Sequence, residues 1–330
     1  MSVVVELARG LNVPPEFFFV APRPSAEGPT FFRSMAAATK RSRRRADTRI
    51  DWTWDLLRFA QTRVQFPDVA LPPAPDVPWQ ALTREDIELR ADALRRHWKL
   101  GAGPISNVVW LAEEAGFVVV RDEIGNSYLD AHHRWCSGRP IIVLNTDKEL
   151  AVRSRFDCSH EIGHADIHRD VQTKELQTSG MLKRVEEQAS QFAAAFLLPA
   201  ETFAQEVTNI SLEALLQMKM RWRVSVAALI RRCVTLGIVD GGMATRLWKA
   251  KSARGWTKRE PLDDEMFPEH PRLLGSALTV VLTRGVASRE ELVRRTGLPP
   301  REIEKLAGLG NGFLDNEPSR VLDIGPRLMK

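Results

Sequence analysis

A chain of 330 residues, 44% hydrophobic and 27% charged, has the composition of a globular protein and is long enough to bury a core in two or three units. Its longest apolar runs, Phe117–Val120 and Ile141–Leu144, are too short to span a bilayer, and the start MSVVVELARG lacks the basic residues and apolar core of a secretory signal. Three isolated cysteines, Cys136, Cys158 and Cys233, suit a reducing cytoplasm and exclude a disulfide framework or a cysteine-built zinc site, while a net charge of +5 permits contact with nucleic acid without demanding it.

A short helix, Val4–Leu11, opens the chain and is ended by the Pro14–Pro15 pair. The basic run KRSRRR (40–45) precedes a helical pattern over 48–65 that carries Trp52, Trp54, Leu57 and Phe59. FPDVALPPAPDVPW (66–79) is too rich in proline to continue a helix and reads as a connector. Helices are predicted from Thr83 to about Lys99, ending at Gly101, and over Ser106–Ala115, stopped by Gly116. FVVVRDEI, a stretch around 128–135 and PIIVLN read as three strands of a small antiparallel sheet. Thr146 to Glu149 has the pattern of a capping box and places a helix start near Asp147. A further helix is expected over Leu182–Leu198, ended by Pro199.

Beyond it, 211–240 and 272–308 read as short helices, and REELVRRTGLPPREIEKLAG (289–308) has a helix-turn-helix shape. KMRWRV (219–224) and WKAKSARGWTKRE (248–260) interleave basic residues with tryptophan. Each reads as a weak phosphate contact or, more plainly, as a solvated face. The pattern is α+β and mostly helical. The expected divisions are an N-terminal remnant (1–20), a helical segment with a Pro-rich linker (21–79), a central domain (80–210) and a helical C-terminal region (211–330).

The stretch CSHEIGHADIH (158–168) holds three of the seven histidines. His160-Glu161-Ile162-Gly163-His164 is an HExxH pattern on a predicted helix. Four residues are just over one turn, so both imidazoles leave the same face and can meet one metal ion. Glu161 sits about 100° round from His160, too far to be a ligand beside it and close enough to hold a reacting water. A carboxylate that takes a proton from water, next to a Lewis-acidic ion, is the minimum apparatus for cutting an amide.

A tetrahedral catalytic site wants a third protein ligand. The continuation that would supply a histidine near 170 has Asp170 instead. His168 lies about 12 Å along the axis from His160, too far to converge on the same ion, and is expected at the surface or behind the ligands. RVEEQASQFAAAFLLP offers more: its apolar stripe is Ala189, Phe192, Ala193, Phe196 and Leu197, and the same face extended backwards reaches Glu186 rather than Glu187. An inward carboxylate is costly unless paired or bound to a metal. Gly163 costs about 1 kcal/mol of helix stability and leaves room for another element to pass. The expected ligands are His160, His164 and Glu186, with Glu161 as the base.

These two segments, SRFDCSHEIGHADIH and EEQASQFAAAFLLP, resemble the ImmA/IrrE family of zinc metallopeptidases, whose pattern is HExxH followed by ExxA[ND]xFAxxLLxP. Glu186, Ala189, Phe192, Ala193, Leu197 and Pro199 match the second motif, whereas Ser190 stands where the family has Asn or Asp. GAGPISNVVWLAEEAGFVVV, RPIIVLN and KMRWRVSVAALIRRCVTLGIV extend the resemblance over about 100–240. It implies a zincin-like core, one zinc ion (manganese being the alternative), and regulated proteolysis of a Cro/repressor-type helix-turn-helix repressor that releases stress-response or mobile-element genes. ELARGLNVPPEFFF resembles only the last helix and exit of the DNA-binding domain that many members carry. The chain is therefore read as starting at an internal methionine or as keeping a decayed domain, without a helix to enter a major groove.

Two rivals stand beside this reading. One is a non-catalytic regulator that binds DNA or a repressor through its basic helical C-terminus and keeps a metal-stabilised fold. The other is a metal-dependent hydrolase of something other than a peptide. Glu161 favours an enzyme, since a binding module has no use for it, and protein as the substrate follows from the resemblance alone. Tyr128, His132, His133 and Arg134 fall near the site on a predicted strand and are left outside the catalytic set.

Overall fold

The computed structural model describes residues 3–20, 27–32, 39–126, 129–148 and 150–315. In chain order these form α1 (Val3–Leu11), β1 (Glu27–Phe32), α2 (Lys40–Gln61), α3 (Arg84–His97), α4 (Val108–Glu114), β2 (Val118–Asp122), β3 (Ala131–Cys136) and β4 (Arg139–Asn145). Then follow α5 (Ala151–Ile167), α6 (Ser179–Leu197), α7 (Ala200–Glu206), α8 (Leu212–Trp222), α9 (Val226–Thr235) and α10 (Gly241–Ala253). The last three are α11 (Leu273–Thr283), α12 (Arg289–Thr296) and α13 (Pro300–Ala307). The protein is α+β and mostly helical, with a zincin-like core. No helix among the described residues is long and apolar enough to cross a membrane.

The sheet has four strands in the order β1-β3-β4-β2. It is mixed, not antiparallel as expected: β3 pairs antiparallel with β4 and with β1, but β2 runs parallel to β4. The reason is α4, which delivers the chain to β2, so that β2 and β4 enter from the same end. Alternate residues separate two cores. Val119, Ala131, Ile142 and Leu144 join a cluster with α3–α6 and α8–α10. Val118, Val120, Ile141 and Val143 join a second with α2 and α11–α13. A strand buried on both faces needs apolar residues at every position, which is why FVVV and PIIVL show no polar alternation.

α5 starts later than the capping pattern suggested. Asp147 turns back and accepts the backbone N–H groups of Gly125 (3.2 Å) and Asn126 (2.6 Å), which ties the loop after β2 instead of starting a helix. The N-cap is Leu150, with no side-chain cap. In compensation the helix is pinned along its length by buried ions. Near its start, Arg155 pairs with Glu269 and with the Ile105 carbonyl, and Glu269 in turn accepts the first N–H groups of α4, Val108 (2.7 Å) and Val109 (3.1 Å). Near its end, Asp166 takes a two-pronged hydrogen bond from Arg90 of α3 at 2.6 and 2.7 Å. Two fixed points on one helix set its rotation as well as its place.

The helix-turn-helix shape over 289–308 is present as α12, a turn through Gly297 in the left-handed region (φ 65°), and α13. Gly297 is required twice, because a Cβ there would also lie 2.8 Å from the Phe17 Cα of the N-terminal segment. α13 lays Ile303, Leu306 and Ala307 into the second core, while its Glu302 pairs with Arg49 (2.5 Å) and its Lys305 with Asp122 (2.6 Å).

Candidate metal centre

The two histidines of HExxH leave α5 one turn apart, and their rings meet edge to face with centroids 4.7 Å apart. Their Nε2 atoms are 3.0 Å from each other. α6 crosses beside them and brings in Glu186, whose Oε2 is 3.1 Å from His160 Nε2 and whose Oε1 is 3.5 Å from His164 Nε2. All three ligand-type atoms lie within 4.8 Å of one another. Glu187, the neighbour that the stripe argument set aside, is solvent-exposed and pairs with Lys183 at 3.6 Å.

The close approach of α6 has a visible cause. Ala189, Phe192, Ala193, Phe196 and Leu197 are all buried along it. A Cβ added at Gly163 would come within 2.8 Å of the Phe192 ring, so glycine in the middle of HExxH lets the second helix pass. Without that passage the Glu186 carboxylate could not reach both imidazoles.

Behind the ligands lies a line of polar groups. His164 Nδ1 is 2.9 Å from His168 Nδ1, His168 Nε2 is 3.0 Å from Gln188 Oε1, and the Gln188 amide donates to the Trp79 carbonyl at 2.8 Å. The network assigns the tautomers. Gln188 Oε1 can only accept, so the His168 proton is on Nε2; its bare Nδ1 then accepts from His164 Nδ1–H. Ser190 Oγ, 3.3 Å from His160 Nδ1, stands behind the first ligand. His164 therefore carries its proton on the far nitrogen, and its Nε2 points with His160 Nε2 and one carboxylate toward a single point.

His168 is buried in this line, not at the surface. Ser190, which stands where the ImmA/IrrE pattern has Asn or Asp, also places its hydroxyl beside a ring nitrogen of the cluster.

Electrostatics agree with the geometry. Burial alone would raise the Glu186 carboxyl, but its contacts with the His160 and His164 imidazoles outweigh it and hold the group well below the usual carboxylate range. Burial, reinforced by the neighbouring His164, keeps His168 far below the ordinary histidine value, hence neutral. Cys158, one turn before Ile162, is buried and its thiol is pushed well up by desolvation, so it is no nucleophile.

Glu161 is 1% exposed and faces the sheet, where His133 of β3 meets it: His133 Nδ1 to Glu161 Oε2 is 2.7 Å. The His133 ring also stacks on His164, with centroids 5.7 Å apart and planes 23° from parallel. By sequence alone His133 reads as an ordinary strand residue outside the catalytic set. The signal that could have found it is a second histidine in a strand next to the metal helix, on the face opposite His132. Arg134 is committed elsewhere, to Asp51 of α2. Tyr128 lies outside the described residues.

Residues 112–234, from α4 through most of α9, match the family model described as an IrrE N-terminal-like domain. This stretch is an IrrE N-terminal-like peptidase domain. It encloses β2, β3, β4, α5 and α6, hence His133, His160, Glu161, His164, His168, Glu186, Gln188 and Ser190, while α1–α3 and α10–α13 lie outside it. No curated protein matches the chain. The peptidase family implies a hydrolase with a bound metal ion. The donor set fits one: two imidazole Nε2 atoms and one carboxylate held ionised are ligands suited to zinc, and each Nδ1 has a polar partner behind it.

Proposed function

We propose that the protein is a zinc-dependent endopeptidase in which His160, His164 and Glu186 hold the ion and Glu161 is the general base. The observation that carries this reading is the convergence of two Nε2 atoms and one carboxylate from two separate helices, with a second carboxylate one residue from the first histidine and inside a peptidase domain. When bound, the ion supplies Lewis acidity toward the scissile carbonyl and toward the attacking water. Glu161 accepts the proton of that water and returns it to the leaving amine, so the carboxylate ends as it began. Its burial keeps bulk water from competing for the proton. His168 and Gln188 fix the tautomer of His164, and Ser190 steadies the His160 ring.

The substrate in this reading is a Cro/repressor-type helix-turn-helix repressor, cut so that stress-response or mobile-element genes are released. The resemblance to ImmA/IrrE peptidases supports that choice. The test is zinc-loaded protein incubated with helix-turn-helix repressors of the Cro/repressor type from the same genome, with Glu161→Gln as the control. Cleavage by the wild type falling about 100- to 10,000-fold in the variant is expected, with metal content unchanged. Undiminished cleavage by Glu161→Gln would take the base role away from this residue.

A further inference from the structure

We propose that His133 is the positioning residue for Glu161: its Nδ1–H donates to the carboxylate and fixes the plane in which the base meets its proton. The catalytic part of this proposal rests on the peptidase reading, whereas the hydrogen bond itself does not.

Four observations carry it. The contact is short, 2.7 Å, and both residues are 1% exposed, so no solvent shares or replaces it. With Glu161 ionised, as a base must be, the carboxylate only accepts, so the proton of this bond is on His133 Nδ1 and the bond is charge-assisted. The imidazole is stacked beside the His164 ring, centroids 5.7 Å apart, within a fully buried setting. Finally, the two partners sit on different elements. Glu161 rides on α5, while His133 is fixed on β3 opposite Ile142 of β4 and Phe31 of β1.

The last point gives the interaction its use. A glutamate on a helix has three side-chain torsions, and helix geometry alone does not choose among their settings. The ligands cannot help, because they hold the ion and not the base. A donor on the facing sheet closes the gap: strand register sets where the Nδ1–H stands, and that sets the carboxylate. Glu161 then delivers one orientation to the reacting water instead of sampling several, which is how proximity lowers a barrier.

The test uses the full chain with histidine side chains labelled with nitrogen-15. The expected result is a slowly exchanging, downfield Nδ1–H proton that is absent from His133→Asn, which assigns it, and lost in Glu161→Ala. Absence of such a proton, or its survival in Glu161→Ala, overturns the proposal. Kinetics on the zinc-loaded protein test the role. His133→Leu should lower kcat about 10- to 100-fold at unchanged KM and unchanged metal content. His133→Asn, which places an amide N–H where Nδ1 stands, should recover most of that loss. Equal damage in both variants would mean that the ring only fills space, and the proposal would fall. Should the wild type cleave nothing, the peptidase reading fails, while the proton signal still decides whether His133 holds Glu161.

Discussion

His132 and His133 are neighbours on β3, both fully buried, and they face opposite sides of the sheet. His132 Nε2 meets the backbone carbonyl of Ala46 in α2 at 3.0 Å, and desolvation pushes its pKa down to about 4. His133 meets the Glu161 carboxylate. One ties a helix to a strand; the other holds the carboxylate that we propose as the general base. Burial is the same for both, so burial marks neither as functional. The identity of the partner does: a carbonyl that needs a donor is a matter of stability, and a carboxylate that must be aimed is a matter of chemistry.

That contrast can be broken or sharpened by substitutions on each side of the sheet. The largest effect is expected from Glu186→Ala on the metal side. Metal affinity should fall by more than about 100-fold, the upper end for losing a mere supporting partner, and metal analysis after dialysis reads it. A variant that keeps its metal would remove Glu186 from the ligand set.

Next comes His132 on the other side. Its folded pKa of about 4 lies below the unfolded value of about 6.5, so its neutral form stabilises the fold fully above pH 6.5. That stability is lost as pH falls from 6.5 to about 4, about 3 kcal/mol in all. Urea unfolding of metal-free wild type against His132→Leu should show the variant losing less over this range, with metal binding at neutral pH untouched. Gly163→Ala should cost about 2 kcal/mol through the clash with Phe192 and weaken metal binding as α6 backs away. The smallest effect is expected for Ser190→Ala, which removes the His160 Nδ1 partner. Zinc affinity should drop about 10-fold by competition with a chelator, and the thermal midpoint of the metal-free protein should hold.

What could be read from the sequence was whatever depends on helix periodicity. The i, i+4 spacing put His160 and His164 on one face, and the stripe from Ala189 to Leu197, extended back, chose Glu186 over Glu187 without knowledge of the packing. Helix ends with a local signal were legible too, as at Thr83, whose capping box with Asp86 starts α3. Long-range pairing was not. Nothing in the composition of β2 and β4 says whether they run parallel, since doubly buried strands look alike in either case. Asp147 fits a helix start locally and is taken instead by amides 21 and 22 residues away. The bond between His133 and Glu161 spans 28 residues and joins a strand to a helix, a relation no period encodes. The Gly-Pro stretch of β1 carries no alternation to announce a strand, and a proline there is tolerated because the strand lies at the sheet's rim.

β1 also governs how anything extended could approach. β3 is bonded along both margins, to β4 on one side and to residues 27–32 on the other, with Phe31 opposite His133 itself. A guest chain seeking to lie down as an extra strand beside the base finds that berth taken. Docking there is an exchange of one ribbon for another, and its measured affinity would be the difference between the newcomer's grip and that of the protein's own segment.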